Sequence, residues 1–600
     1  MRHLFIYIKR AAFAAIIGLT ATSCADFLEI EPRDIVTEDN FWNEKTDIEQ
    51  SVAGCYASMQ TDAFINRCIV WGELRSDNIY PGDNVENNFY DLYQALRENL
   101  LSTNEFTDWS CFYTVINKCN IIIRMAPVVS EKDPSYLESD VRATIAEMTA
   151  LRSLCYFYLI RAFKDIPFNQ TAIQQEDETR SLPATSFDEV LNQLVADLEA
   201  VKGDAVARYR VSDSDGYGLG YNSNCNRITR AGINALLCDM YLWTGDYDKA
   251  IACAEEVIEQ KQADYREFYN GKNGSGQLWP KALTSGDTTI PLFENTQANP
   301  SASFQAIFGK GNSYESIFEL SFNSTGINDT RYVKNTSLAR LYGWGGADKD
   351  EKASPVVEVN KGQGFLTVNP AIVSDVTSKT WKFWDHEYDA RFYNNVQALS
   401  NTYGEGFIRK GVAETFNVKS TGTTYDNYAS NSFTTTQQMD RNWIFYRLTD
   451  VMLMEAEALL EKVTTEASEE NTALRKKAFE LMALVNNRSC LDKGKQKSNN
   501  FTSVDQMRKF LREERNRELM FEGKRFFDLI RYARRTGSTD IVKSLVPASK
   551  ASGGASQNNG FPSYEHLFWP YNKNELKVNT LLQQKAIYGS ETSDEIEMNK

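Results

Sequence analysis

Residues 511–535 of this 600-residue chain, LREERNRELMFEGKRFFDLIRYARR, put charge where a helix wants apolar side chains. Val504, Met507, Phe510 and Leu511 open an apolar stripe at helical spacing, and its next positions are Glu514, Arg515 and Glu518. Gly523 breaks the helix. Leu519 before it and Phe526, Phe527, Leu529 and Ile530 after it restore the apolar character. Buried charge is costly unless paired. Partners stand at spacings of three and four: Glu518 and Glu522 face Arg515, Arg525 and Arg531, with Asp528 between the last two. The stretch is therefore expected to be two helices locked by an ion-pair network. A catalytic cluster is the alternative reading of the same charges. Either way, the rest of the chain must be built around it.

Six hundred residues allow two or more domains, or one large domain with insertions. A net charge of −16 disfavours a nucleic-acid partner, because phosphate affinity needs basic surface. Residues 1–23 read as a signal peptide: Arg2, Lys9 and Arg10 precede an apolar run, Ala11–Ala21, too short to span a bilayer. The run ends in Ala21-Thr22-Ser23-Cys24, which resembles a lipobox. Cys24 is then the lipid anchor, carrying diacylglycerol on sulfur and an acyl chain such as palmitate on its amine. Three chains anchor stably where one is marginal. An ordinary cleaved secretory signal is the alternative. Nine cysteines remain; Cys111 and Cys119, eight residues apart on one helical pattern, are too far apart to bridge, and Cys155, Cys238 and Cys253 fall on apolar helical positions.

Helical periodicity dominates. Thr37 is a candidate N-cap for a helix running through Ile48, Val52 and Tyr56. Residues 109–125 and 141–163 are helical, and the second is apolar nearly all round, so it should be buried, stopping before Pro167. Residues 229–260 carry Tyr241, Gly245, Tyr247, Ala250 and Ala254 at the spacing of a tetratricopeptide repeat, and 446–462 with 474–487 form a second such pair. The fold class is mainly α: a tetratricopeptide-like helical-repeat scaffold with a large loop-rich insertion at 266–441, in which Ser316–Phe322 is one strand. Trp71–Tyr90 reads as loop, with Trp42 and Trp109 in the core and Trp569 in a closing turn.

The motif Glu514-Arg515, Glu518-Leu519, Phe521-Glu522-Gly523, Arg525, Asp528-Leu529 and Arg531 resembles the C-terminal signature of the SusD/RagB family. CADFLEIEP at 24–32, AEMTALRSLCYFYLIRAFKDIPF at 146–168 and HLFWPYNKNELKVNTLLQQKAIY at 566–588 resemble further motifs of that family, in the same order. The resemblance divides the mature chain into a SusD-like N-terminal helical region, 24–232, and a SusD/RagB region, 233–600. It implies a lipoprotein of the outer membrane, facing the cell surface, partnered by a SusC-like TonB-dependent transporter and binding an oligosaccharide without chemistry.

Enzymatic motifs are scarce. His386 and His566 are the histidines beyond the signal region, and there is no HExxH, GxSxG, P-loop or GxGxxG. Paired carboxylates for a glycosidase stay open, since their separation is spatial. Asp213-Ser214-Asp215-Gly216 resembles part of a calcium loop, without its other ligands; no cofactor is otherwise called for. The ligand candidates are aromatic and polar residues on loops: Arg75, Asp77, Asn78 and Tyr80 in the first, and Tyr342, Trp344 and Trp381 in the insertion. A Trp or Tyr face covers the C–H face of a sugar while Asn, Asp and Arg meet its hydroxyls. A peptide ligand, a surface glycosidase and a ligand-free helical adaptor are the alternatives.

Overall fold

The computed structural model describes residues 41–589 except 83–84, 175–177, 179, 210–222, 270–277, 297, 310, 323–332, 343–364, 374–382, 385–388, 399–405, 419–427, 434–440, 465–467, 491–495 and 547–560. The signal region, Cys24, Thr37, the 213–216 segment, Trp344, Trp381 and His386 lie outside the described residues.

Helix α1, Lys45–Met59, starts where the Asp47 carboxylate accepts from the backbone N–H groups of Glu44 (2.8 Å) and Asn43 (3.0 Å). It is followed by α2, Asp62–Ile69. The expected loop at 71–90 is instead folded: a π-helical turn at Val70–Leu74, strand β1 at Ile79–Pro81, a helical turn at Val85–Asn88 and α3 at Tyr90–Leu96. Two long helices come next, α4 (Ser110–Lys132) and α5 (Glu138–Phe163), and α5 is buried on every side from Ala146 to Phe163, as its all-round apolar sequence there requires.

The scaffold continues through α6 (Phe187–Val201), α7 (Arg230–Thr244) and α8 (Tyr247–Asp264). Gly245 closes α7 in the left-handed region (φ +83°), and Asp246 caps α8 by accepting from Lys249 N–H. Ala250 and Ala254 are fully buried on the face of α8 that meets α7. The insertion was expected to hold loop and short strands. Its described part also holds helices, among them α9 (Thr336–Tyr342) and α10 (Ala390–Asn395), beside small antiparallel ribbons. Strand β2, Ser316–Leu320, is buried on both faces, and β3 is Leu366–Val368. The partner of β2 is β4, Trp443–Arg447. Tyr446 and Arg447 thus belong to a strand and not to the following helix, where the sequence pattern had put them. The scaffold closes with α11 (Leu448–Lys462), α12 (Glu469–Ser489), α13 (Val504–Leu519) and α14 (Arg525–Thr536).

Neighbouring helices pack in sequence, α1 on α4, then α4 to α8, then α8 on α11 and α11 on α12, which makes one helical-repeat layer. The 232/233 division falls inside α7, and one hydrophobic cluster runs from Trp42 to Leu582 across it. It marks a motif edge and not a break in packing. Trp42, Trp109 and Trp569 are all in that cluster. Among the described residues no helix is long and apolar enough to cross a membrane.

Candidate functional site

The charges of the 511–535 stretch are buried, and their partners come from far along the chain. Glu518 accepts from Arg391 on α10 (3.3 Å), Arg447 on β4 (2.5 Å) and Arg488 on α12. Burial works against its ionisation, but the three guanidiniums hold its carboxyl well below the usual carboxylate range. Glu514 pairs with Arg391 (2.6 Å) and Glu522 with Arg447 (2.8 Å) and Lys410 (2.5 Å). Arg515 bridges Asp450 and Asp528, and Arg531 reaches Glu457. Of the pairs expected inside the stretch, Arg531–Asp528 forms; Arg515 instead reaches Asp528, 13 residues on, and Glu518 and Glu522 turn outward to other elements. The network therefore ties the insertion, through Arg391 and Lys410, to the helical scaffold.

The same stretch anchors the segment at 71–90. Gly72 and Gly523 meet backbone to backbone: a Cβ on Gly72 would lie 1.8 Å from the Gly523 carbonyl oxygen. Glu73 is fully buried and accepts from Asn78 Nδ2 (2.8 Å) and the backbone N–H groups of Phe521 (3.1 Å) and Lys524 (3.3 Å), so it caps the start of α14. Burial nevertheless raises its pKa to about 7. Asp77 takes a two-pronged bond from Arg525, 2.7 and 2.8 Å. Asn78 also donates to Asn516 (2.9 Å). Arg75 donates to the carbonyls of Leu567 and His566, pairs with Glu98 and stacks on Phe526 and Phe561.

Arg75, Asp77 and Asn78 were expected to face a ligand. They are buried and bonded to internal partners, so they position the segment. Tyr342 is likewise fully buried, edge-on to Phe521. Tyr80 alone of the described candidates reaches the surface. In the β1–β3 ribbon it stands opposite Thr367, with Ile79, Leu366 and Val368 pointing into the core and Tyr80 and Thr367 outward. Partial burial raises its hydroxyl above the ordinary tyrosine range.

Beside the ribbon, Phe89 packs edge-on against Phe365 (5.3 Å), and the exposed Arg340 lies over the Phe89 ring (4.5 Å). Tyr90 follows at 59% exposure, with Glu86, Asn87 and Asn88 exposed next to it. The described outer face thus offers Tyr80, Tyr90, Arg340 and two amides. Arg340 was missed by sequence reasoning, because nothing local ties it to Phe89, some 250 residues earlier. Tyr90 was visible as an aromatic in a loop, and only its exposure separates it from Phe89. Trp344 and Trp381 lie outside the described residues.

Comparison with known proteins follows the same motifs. The sequence profile of the SusD family matches residues 314–588. SusD-like protein P38 of Formosa agariphila is 24% identical over 581 residues, covering 94% of this chain and 96% of the relative. SusD-like protein P2 of the same organism is 24% identical, covering 86% and 88%. Among solved structures, a laminarin binding SusD-like protein superposes with a TM-score of 0.60 at 20% identity, covering 91% of this chain and all of the other. Surface glycan-binding protein A from Bacteroides uniformis does so with a TM-score of 0.60 at 19% identity, covering 90% and 99%.

Proposed function

This chain belongs to the SusD/RagB family, and from that premise we propose that it captures an oligosaccharide at the cell surface and passes it to a SusC-like TonB-dependent transporter. In this reading Cys24 carries the lipid that holds the protein on the outer membrane. The ligand is bound and released with no bond made or broken.

The observation that carries the reading is the division of labour between core and surface. The buried carboxylates of the signature stretch are paired with its own Arg515 and Arg531 or with Arg391, Lys410, Arg447 and Arg488, which leaves that cluster no free carboxylate pair for hydrolysis. What the network holds outward is a face of aromatic rings, a guanidinium and amides, the groups that cover a sugar ring and meet its hydroxyls. The binding of laminarin and surface glycans by structural neighbours points the same way.

The test is titration of the form lacking residues 1–24 against a panel of oligosaccharides, followed by analysis of the recovered sugar. Saturable binding with the sugar recovered intact is expected. Shortened products would make the protein a glycosidase. Binding of a peptide pool with no response to any glycan would move the ligand class to peptides.

A further inference from the structure

Five cysteines from four helices converge in one seam of the core: Cys55 on α1, Cys68 on α2, Cys111 and Cys119 on α4, and Cys155 on α5. All but Cys111 are fully buried. Most are small apolar fillers, but one pair is held in register by contacts of its neighbours. Helices α1 and α4 run antiparallel. Lys45 N–H donates to Asp133 Oδ2 (2.8 Å), and Lys132 Nζ donates to the Trp42 carbonyl (2.8 Å), which sets one end. Lys118 Nζ donates to Ser58 Oγ (2.7 Å), with the Gly54 carbonyl at 3.5 Å, which sets the middle. Cys55 and Cys119 lie at this level, each on the buried face of its helix, and the two thiols interact.

We propose that Cys55 and Cys119 are a disulfide site that staples α1 to α4 in the mature protein. In the cell this rests on the surface location proposed above, since such bonds persist in oxidising compartments. The bond forms while the helices are still docking, because burial pushes the Cys119 thiol well up and denies it a thiolate once folded. The oxidant is a small or protein disulfide. One cysteine thiolate attacks it and releases a thiolate; the second cysteine thiolate then attacks the mixed disulfide and releases the other. The two cysteine sulfurs lose two electrons and two protons, and the oxidant is reduced to two thiols.

Peptide mapping tests this directly, because trypsin puts each of the five cysteines on its own peptide: 46–67, 68–75, 98–118, 119–124 and 153–161. Reduced, unfolded protein is refolded in a glutathione redox buffer, alkylated and digested without reductant. The expected product is 46–67 joined to 119–124, lighter by two hydrogens than the separate peptides. Reductant should then lower the unfolding temperature of the oxidised protein by a few degrees and leave Cys55→Ala unchanged. Free, alkylated Cys55 and Cys119 after refolding, or a link between 119–124 and 153–161, would overturn the proposal. Refolding in vitro does not depend on location. Mapping of protein taken from the outer membrane reads the second half: a link formed in vitro and absent there would count against the surface location and leave the geometry standing.

Discussion

Glu518 shows most clearly what a single residue does here. Three arginines from three elements converge on it, so removing the carboxylate leaves three buried cations short of an anion. Glu518→Ala is expected to destabilise the fold by about 3–5 kcal/mol, measured by denaturant unfolding. Wild-type stability in that variant would mean the guanidiniums are satisfied by other partners. The sequence announced that these charges were buried and paired, since they sit on the apolar line of α13. It did not announce the partners. Local spacing suggested Arg515, Arg525 and Arg531 for Glu518 and Glu522, but a buried helix face presents its side chains to neighbouring elements, and those neighbours are Arg391, Lys410 and Arg447. The same gap explains Arg75, Asp77 and Asn78. Polar residues in a Gly- and Asn-rich stretch look exposed until the helix that consumes them is in place.

At the scale of elements, the segment around β1 is hung from the turn between α13 and α14. Gly523 holds a positive φ of +69° and receives Gly72 at van der Waals limit, with Trp443 and Cys68 against its other side. A methyl group on Gly72 meets backbone, which cannot rotate away. Gly72→Ala should therefore cost more than about 4 kcal/mol or prevent folding, and should lower the solubility and unfolding temperature of the expressed protein. A variant as stable as the parent would mean the two segments part easily. The helices of the scaffold were legible as elements, because 3.6-residue periodicity survives in α4, α5, α7, α8, α11 and α12. Strand β4 was not. Of its five buried residues the last two, Tyr446 and Arg447, read as the start of α11, and the pairing with β2 that makes them extended comes from more than 120 residues away.

The whole molecule should respond to pH in two directions. Glu73 and Glu455 are both buried, and each has its pKa raised to about 7 chiefly by burial. Between their unfolded values and about 7 the folded chain holds more protons than the unfolded one, so their contribution is lost as pH rises through that window. Asp450 is held at about 2, against the opposing effect of burial, by Lys524 and Arg515, and Glu518 lies well below its usual range. For these the unfolded chain holds more protons, so their contribution is lost as pH falls below the unfolded values. Thermal unfolding should thus be latest near pH 5, earlier at pH 8 and earlier again at pH 3. Glu73→Gln should flatten the limb between pH 5 and 8. A profile that rises steadily to pH 8 would contradict the assignment of Glu73 and Glu455 as protonated acids at pH 5.

The family motifs were readable along the chain because they are what builds this core. The binding face was only partly readable, because exposure depends on which side of a ribbon or helix start a residue lands. Tyr80 and Tyr90 land outside, Phe89 and Tyr342 inside. The measurement that tests the central claim is therefore isothermal titration with the best oligosaccharide of the panel, on the parent, Tyr90→Ala and Arg340→Ala. Each variant should keep its unfolding temperature and lose about tenfold or more in affinity, the loss of one stacking or charged contact. Unchanged affinity in both would show that sugar is held elsewhere, and that the face built on the signature core is not where this protein binds.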